Sequence, residues 1–172
     1  MPSPDTIFAT RTTTKLLDAL GDPQNEPAWA QIDGRYRPVL AGLARRLGLN
    51  ASEAEEVAQS TLTEFVRAYR ERRYDRTKGR LSSWILGIGH HTALRTLRKE
   101  RRHSEPQSQA AADPVDEPTL RTIWEDERDR AILSRAMTML NEESSIDDRT
   151  YLAFDLFAMR KVPVAEAASR CG

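Results

Sequence analysis

The sequence predicts an all-α protein. Apolar residues recur at three- and four-residue steps in one segment after another, and no stretch alternates apolar and polar residues as a half-buried strand would. Composition agrees: 39% hydrophobic, 30% charged and 6% aromatic residues suit a soluble globular chain rich in helix and poor in strand. At 172 residues the chain is long enough for one ordinary domain or two small ones. Its single cysteine, Cys171, excludes an intramolecular disulfide and a cysteine-based zinc site. No charged start followed by an apolar run marks a signal peptide, and no apolar stretch approaches the roughly 20 residues needed to span a bilayer. The expected location is cytoplasmic.

The elements follow in order. "TTTKLLDALGD" reads as a short helix, capped by Thr13 or Thr14 and ending near Gly21. Pro27 suits a first helical turn, and Trp29, Ile32, Tyr36, Val39, Leu40, Leu43 and Leu47 then mark an amphipathic helix stopped by Gly48. Pro38 should kink that helix or divide it. "NASEAEEVAQSTLTEFVRAYRERR" is the clearest helix, with Ser52 and Glu55 spaced as a capping box. Val57, Thr61, Leu62, Phe65 and Tyr69 form its buried stripe, and Arg67, Arg70, Arg72 and Arg73 crowd its C-terminal end. "YDRTKGRLSS" is a polar loop turning at Lys78-Gly79, and it leads into a helix through "SSWILGIGHHTALRTLRKERR". The proline-bearing "HSEPQSQAAADPVDEPT" is expected to be a flexible linker. Beyond it lie an acidic helix, "LRTIWEDERDRAILSRAMTML", a helix capped by Asp147 or Asp148, and a short helix in "VPVAEAASRCG".

Charge is distributed unevenly. Residues 1–103 carry 18 Lys and Arg against 12 Asp and Glu, a net of +6, whereas residues 104–172 carry 8 against 14, a net of −6. Residues 67–102 alone hold 12 basic and 3 acidic side chains, a net of +9. Such asymmetry suits a basic surface for a polyanion, with an acidic module behind it. On a helix stepping roughly 100° per residue, His91, Arg95, Arg98 and Arg102 fall within about 40° of Trp84. Leu86, Ala93 and Leu97 lie opposite, near His90 and Leu94, and Lys99, Arg101 and His103 add to the basic end. A line of cations can neutralise successive phosphates, and an aromatic can stack on an unpaired base. Arg76, Lys78 and Arg80 extend the charge into the loop. A tryptophan early in a helix also suits a core position, and cations at a helix C-terminus also complement its dipole.

Other chemistry finds little support. Adjacent His90 and His91 point to different sides of a helix and cannot chelate one metal as an i, i+4 pair does. "GIG" lacks the later glycine of a dinucleotide loop, and no P-loop pattern occurs. Glu53, Glu55 and Glu56 read as capping and surface charge. The expectation is no catalytic residue, no cofactor and no metal.

The order and spacing of three motifs resemble those of bacterial sigma-70-family factors. "AEEVAQSTLTEF" is similar to the family segment A-E-D-L-V-Q-E-x-F. "YDRTKGRLSSWILGIGHHTALRTLRKERR" resembles the segment that follows it in the extracytoplasmic-function (ECF) subgroup, and "WEDERDRAILSRAMTMLNEESSIDDRTYLAFDLFAMRKVPVAEAASRCG" is similar to the start of sigma region four. The resemblance implies region two at 1–103, a linker at 104–119 and a truncated region four at 120–172. It implies that Glu55, Glu56 and Gln59 dock on the clamp helices of the largest subunit of core RNA polymerase. The loop from Tyr74 to Ser83 and the Trp84–Arg102 helix would bind the minus-ten element of promoter DNA. In that reading Arg76, Lys78, Arg80, Trp84, His91, Arg95, Arg98, Lys99, Arg101 and Arg102 touch a strand being separated, and an anti-sigma factor is a further partner.

The chain departs from the family pattern at His91, Arg95 and Gly89, where Asn, Asp and Ala are common. Gly87 and Gly89 each weaken a helix by about 1 kcal/mol relative to alanine, which would favour bending on DNA. "VAEAASRCG" resembles the first helix of a helix-turn-helix, and the sequence ends at its turn, before a recognition helix. A fragment of a longer polypeptide or a truncated factor is expected, with the apolar faces of Leu152, Phe154, Leu156 and Phe157 left open. Setting the resemblance aside, the basic helix also fits an interaction module that binds RNA, anionic lipid or an acidic protein.

Overall fold

The computed structural model describes residues 14–22, 24–104, 115–143 and 147–171. Seven α-helices order them: α1 (Thr14–Ala19), α2 (Glu26–Arg46), α3 (Ala51–Arg70), α4 (Leu81–Ser104), α5 (Glu117–Glu143), α6 (Asp148–Phe154) and α7 (Val164–Cys171). No strand occurs among the described residues. Two compact units divide the chain, Met1–Arg128 and Asp129–Gly172.

In the first unit α3 lies between α2 and α4, and its apolar stripe is the centre of the core. Val57, Leu62 and Phe65 of α3 are buried with Ile32, Val39, Leu40 and Leu43 of α2 and with Leu81 and Ile85 of α4. Burial of each large side chain stabilises the unit by about 1.5–3 kcal/mol. Thr61 is fully buried, and its hydroxyl is satisfied by donating to the Val57 carbonyl at 2.7 Å. Leu16, Leu17 and Leu20 bury α1 and the turn after it, and Tyr69 donates its hydroxyl to the Leu17 carbonyl at 2.8 Å. Thr14 is the first helical residue of α1, and Thr13 lies outside the described residues.

Helix ends explain where the chain turns. The Asn25 side chain caps α2 by accepting from the Ala28 N–H, with Pro27 in the first turn. Gly48, at φ 102, ends α2, while Leu49 N–H donates to Ala44 and Gly48 N–H to Arg45. Pro38 does not divide α2, which runs unbroken from Glu26 to Arg46. Pro38 lacks the N–H that would donate to the Gly34 carbonyl four residues earlier, and both residues are exposed, so water can satisfy that carbonyl. The capping box of α3 is Asn50 with Glu53 and not Ser52 with Glu55, because the chain enters the helix directly from the Gly48 turn. At the far end of α3 the same double cap recurs around Arg72, at φ 57. A residue with a Cβ held there costs about 1–2 kcal/mol.

α4 is seated by Leu81, Ile85, Gly89, Thr92 and Ala93, with Leu86, His90, Leu94 and Leu97 half-buried at the margins. Gly89 is a packing residue and not a flexible joint: a Cβ there would sit 2.6 Å from Leu40 Cδ2. Gly87 has open space around it. Leu97 and Leu47 pack on a lower cluster of Ala44, Leu49, Ala54, Val57 and Ala93.

Helix α5 starts inside the segment expected to be linker, with Asp116 accepting from the Thr119 N–H at 3.1 Å. Its first three turns belong to the first unit. Leu120, Trp124 and Glu127 are buried, and Trp124 stacks on Tyr36 at 6.1 Å. Arg46 pairs with Asp126 at 2.9 Å and with Glu127 at 3.7 Å, and Gly42 is bare because a Cβ would overlap the Glu127 side chain.

In the second unit Asp147 caps α6 through Thr150, and a π-helical turn, Asp155–Met159, extends it. That turn ends on Lys161 at φ 56, where Val162 N–H donates to Leu156. Met137, Leu156 and Ala167 are buried. Leu152, Phe154 and Phe157 are exposed as expected, at 40%, 46% and 56%, whereas Leu156 turns inward.

Candidate nucleic-acid interface

The loop between α3 and α4 is built on a run of aromatic rings. Trp29 meets Phe65 and Tyr69 edge-on at 6.1 and 6.0 Å, and Phe65 meets Trp84 edge-on at 5.7 Å. Tyr74 lies between Tyr69, at 6.1 Å, and Trp84, at 5.2 Å, with both pairs stacked. Arg70 caps the far end, its Cζ 5.6 Å from the Trp29 ring. Burial pushes the Tyr69 and Tyr74 phenols up from their ordinary value, so both hydroxyls stay protonated donors near neutral pH. Trp84 therefore sits half-buried within this run, with one of its faces covered by Tyr74.

The loop is braced by its own polar groups. Asp75 accepts from the Thr77 N–H at 2.9 Å and from its hydroxyl at 2.7 Å, which holds the carboxyl below its ordinary value. The Tyr74 hydroxyl donates to the Gly79 carbonyl at 3.1 Å. Arg76 donates to Thr14 Oγ1 at 3.2 Å, Lys78 lies 3.9 Å from Asp75, and Arg80 is exposed.

Along α4, His91, Arg95, Arg98 and Lys99 are exposed, on the side away from the seated residues. Arg95 and Arg98 are neighbours at i, i+3. Neither they nor Lys99 make an ion pair or side-chain hydrogen bond among the described residues. These three cations are thus turned to solvent, with no ion-pair partner among the described residues. The side chains of Arg101, Arg102 and His103 lie outside the described residues. His90 is half-buried beside His91, with ring centroids 6.0 Å apart, and its Nε2 is buried without a hydrogen-bond partner among the described residues. Burial, and then the neighbouring His91, lowers its pKa. No group of three metal-ligating side chains occurs among the described residues.

On α3, Glu55, Glu56 and Gln59 are exposed. Gln59 is not free: its Oε1 accepts from Arg37 at 2.7 Å, and Arg37 is held by Asp33 at 2.6 Å. Asp33 and Gln59 edge an apolar groove of about 390 Å³ between α2 and α3, floored by Trp29, Ile32, Leu62 and Val66. Sequence reasoning missed this groove and the part played by Tyr69 and Tyr74. The i, i+4 spacing of Asp33 and Arg37 was the available signal for the first, and the density of aromatics from 65 to 84 for the second. Among the described residues no helix is long and apolar enough to cross a membrane.

Comparison with known proteins places this geometry. Residues 33–103 match the family described as Sigma-70 region 2. The chain is 30% identical over 128 residues to the ECF RNA polymerase sigma factor RpoE of Cereibacter sphaeroides, covering 74% of this chain and 68% of that protein. It is 28% identical over 136 residues to the ECF RNA polymerase sigma factor SigE of Mycolicibacterium smegmatis, spanning 77% of this chain but about half, 51%, of that relative. No solved structure matches. With region two formed by α2 to α4 and an aligned relative covered over two thirds of its length, the chain belongs to the ECF group of sigma-70-family RNA polymerase sigma factors.

Proposed function

We propose that the chain is a promoter-recognition subunit without catalysis of its own: it joins core RNA polymerase in the cytoplasm and holds minus-ten promoter DNA as the strands separate. The observation that carries this reading is the exposed stripe of Arg95, Arg98 and Lys99, unpaired among the described residues, on the helix that follows a braced loop bearing Arg76, Lys78 and Arg80. Each phosphate neutralised by such a stripe releases counterions, which helps offset the few kcal/mol needed to unpair and flip a base. His91 adds a hydrogen-bonding group to the stripe, and Arg101 and Arg102 follow in the sequence as further phosphate-binding candidates. Trp84 supports the loop from beneath, because Tyr74 covers one of its faces. Glu55, Glu56 and Gln59, the last of them lining the α2–α3 groove, dock on the clamp helices of the largest polymerase subunit. An anti-sigma factor would compete for these same surfaces.

Two sets of substitutions test the reading. Arg95→Glu with Arg98→Glu should abolish promoter-dependent transcription and leave co-elution with core polymerase intact. Glu56→Arg should weaken co-elution with core polymerase, and transcription should fall with it. If the arginine pair also removed co-elution, or if Glu56→Arg left co-elution unchanged, the separation of the two surfaces would be wrong. Equal binding of the unaltered chain to duplex DNA, opened DNA and anionic vesicles at matched salt would favour the interaction-module alternative.

A further inference from the structure

One side chain joins the two ends of the cationic loop. The Tyr74 ring is clamped between Tyr69 and Trp84, at 6.1 and 5.2 Å and within 24° of parallel to each. Its hydroxyl reaches forward five residues to the Gly79 carbonyl at 3.1 Å. Between these ties the turn is closed by Asp75 on Thr77 and by the Lys78 N–H on the Asp75 carbonyl at 3.1 Å. Arg76 and Lys78 lie inside the tied span and Arg80 directly follows it. Three cations within five residues repel one another and would splay an untied loop. A loop already fixed also surrenders less backbone entropy on binding, so the same contacts bind more tightly.

We propose that Tyr74 is the positioning residue of this loop: stacked on the bundle and bonded to Gly79, it sets the spacing at which Arg76, Lys78 and Arg80 meet an unpaired nucleotide. Tyr74 does not itself stack on the base, since both its faces are occupied. The inference rests on the reading of the loop and α4 as the DNA face.

The test uses the full chain bound to core RNA polymerase and a labelled single DNA strand selected on that complex from a randomised pool. Abasic sites are placed one at a time along the strand, and the ratio of affinities with and without each base is measured by fluorescence anisotropy. The unaltered chain should show one position where loss of the base weakens binding by about tenfold or more, the range expected of a held base. Tyr74→Phe keeps the stack and loses the tie to Gly79, and should shrink that ratio by about three- to tenfold, as a single hydrogen bond can. Tyr74→Ala should bring the ratio close to one. A merely structural role would lower all affinities together and leave the ratio unchanged. An unchanged ratio in Tyr74→Phe overturns the assignment, whatever Tyr74→Ala does. If the unaltered chain shows no abasic-sensitive position, or no strand is selected, the DNA-face reading falls and this inference with it.

Discussion

Gly87 and Gly89 lie two residues apart in α4, yet the same substitution should have opposite effects at the two positions. Alanine gains about 1 kcal/mol of helix propensity over glycine at either site. At Gly87 nothing lies within 4 Å of the new methyl group, so Gly87→Ala should stabilise the first unit by about that amount. At Gly89 the methyl would sit 2.6 Å from Leu40 Cδ2 and 3.6 Å from Thr61 Cγ2. Ordinary carbon contacts are about 3.5–4.0 Å, so Leu40 must retreat by roughly 1 Å. Leu40 is 1% exposed, with packed core around it, and overpacking of this kind costs about 1–3 kcal/mol. Because the propensity gain is common to both variants, the overpacking cost is the difference between them. A middle value of about 2 kcal/mol separates the melting temperatures by roughly 4–8 °C in a chain of this size. Thermal unfolding followed by far-ultraviolet circular dichroism measures it. Should Gly89→Ala melt at or above Gly87→Ala, α4 is not seated on α2 through Gly89, and the outward orientation of Arg95 and Arg98 loses its basis.

Two further outcomes are expected. Trp124, 3% exposed and stacked on Tyr36, should cost the first unit about 3–5 kcal/mol when replaced by alanine, measured by urea unfolding; a loss below about 1 kcal/mol would mean that the start of α5 is not part of that core. His90 should make stability depend on pH. Its folded pKa lies below the ordinary 6.5, so between the two values the unfolded chain binds more protons and stability rises with pH. The contribution is present above 6.5 and is lost as pH falls through the lower folded value. His90→Gln should flatten the melting temperature against pH across that window, and an unchanged slope would assign the dependence to other groups.

The elements were legible because they are local. Caps, apolar spacing and the basic run of α4 are written within a few residues of one another, so the helices and the cationic face follow from sequence order. The misplacements also have local causes. Ser52 with Glu55 and Asn50 with Glu53 are both spaced as capping boxes, and only the Gly48 turn chooses between them. Pro38 reads as a breaker until Gly34 is seen on the same exposed side. The linker seemed to run to 119 because Asp116, Glu117 and Pro118 look like loop, whereas Leu120 and Trp124 anchor the helix from within.

An all-helical chain, a charge asymmetry and a row of cations on one helical stripe can be read from residue order, since periodicity and charge need no partner. Folding settles the rest: which glycine is packed against Leu40, that Trp84 supports Tyr74, that Gln59 is held by Arg37, and that α5 begins as part of the first unit. Those are contacts between residues far apart in the chain, and whether two side chains meet depends on the space between helices, which no single helix's pattern contains.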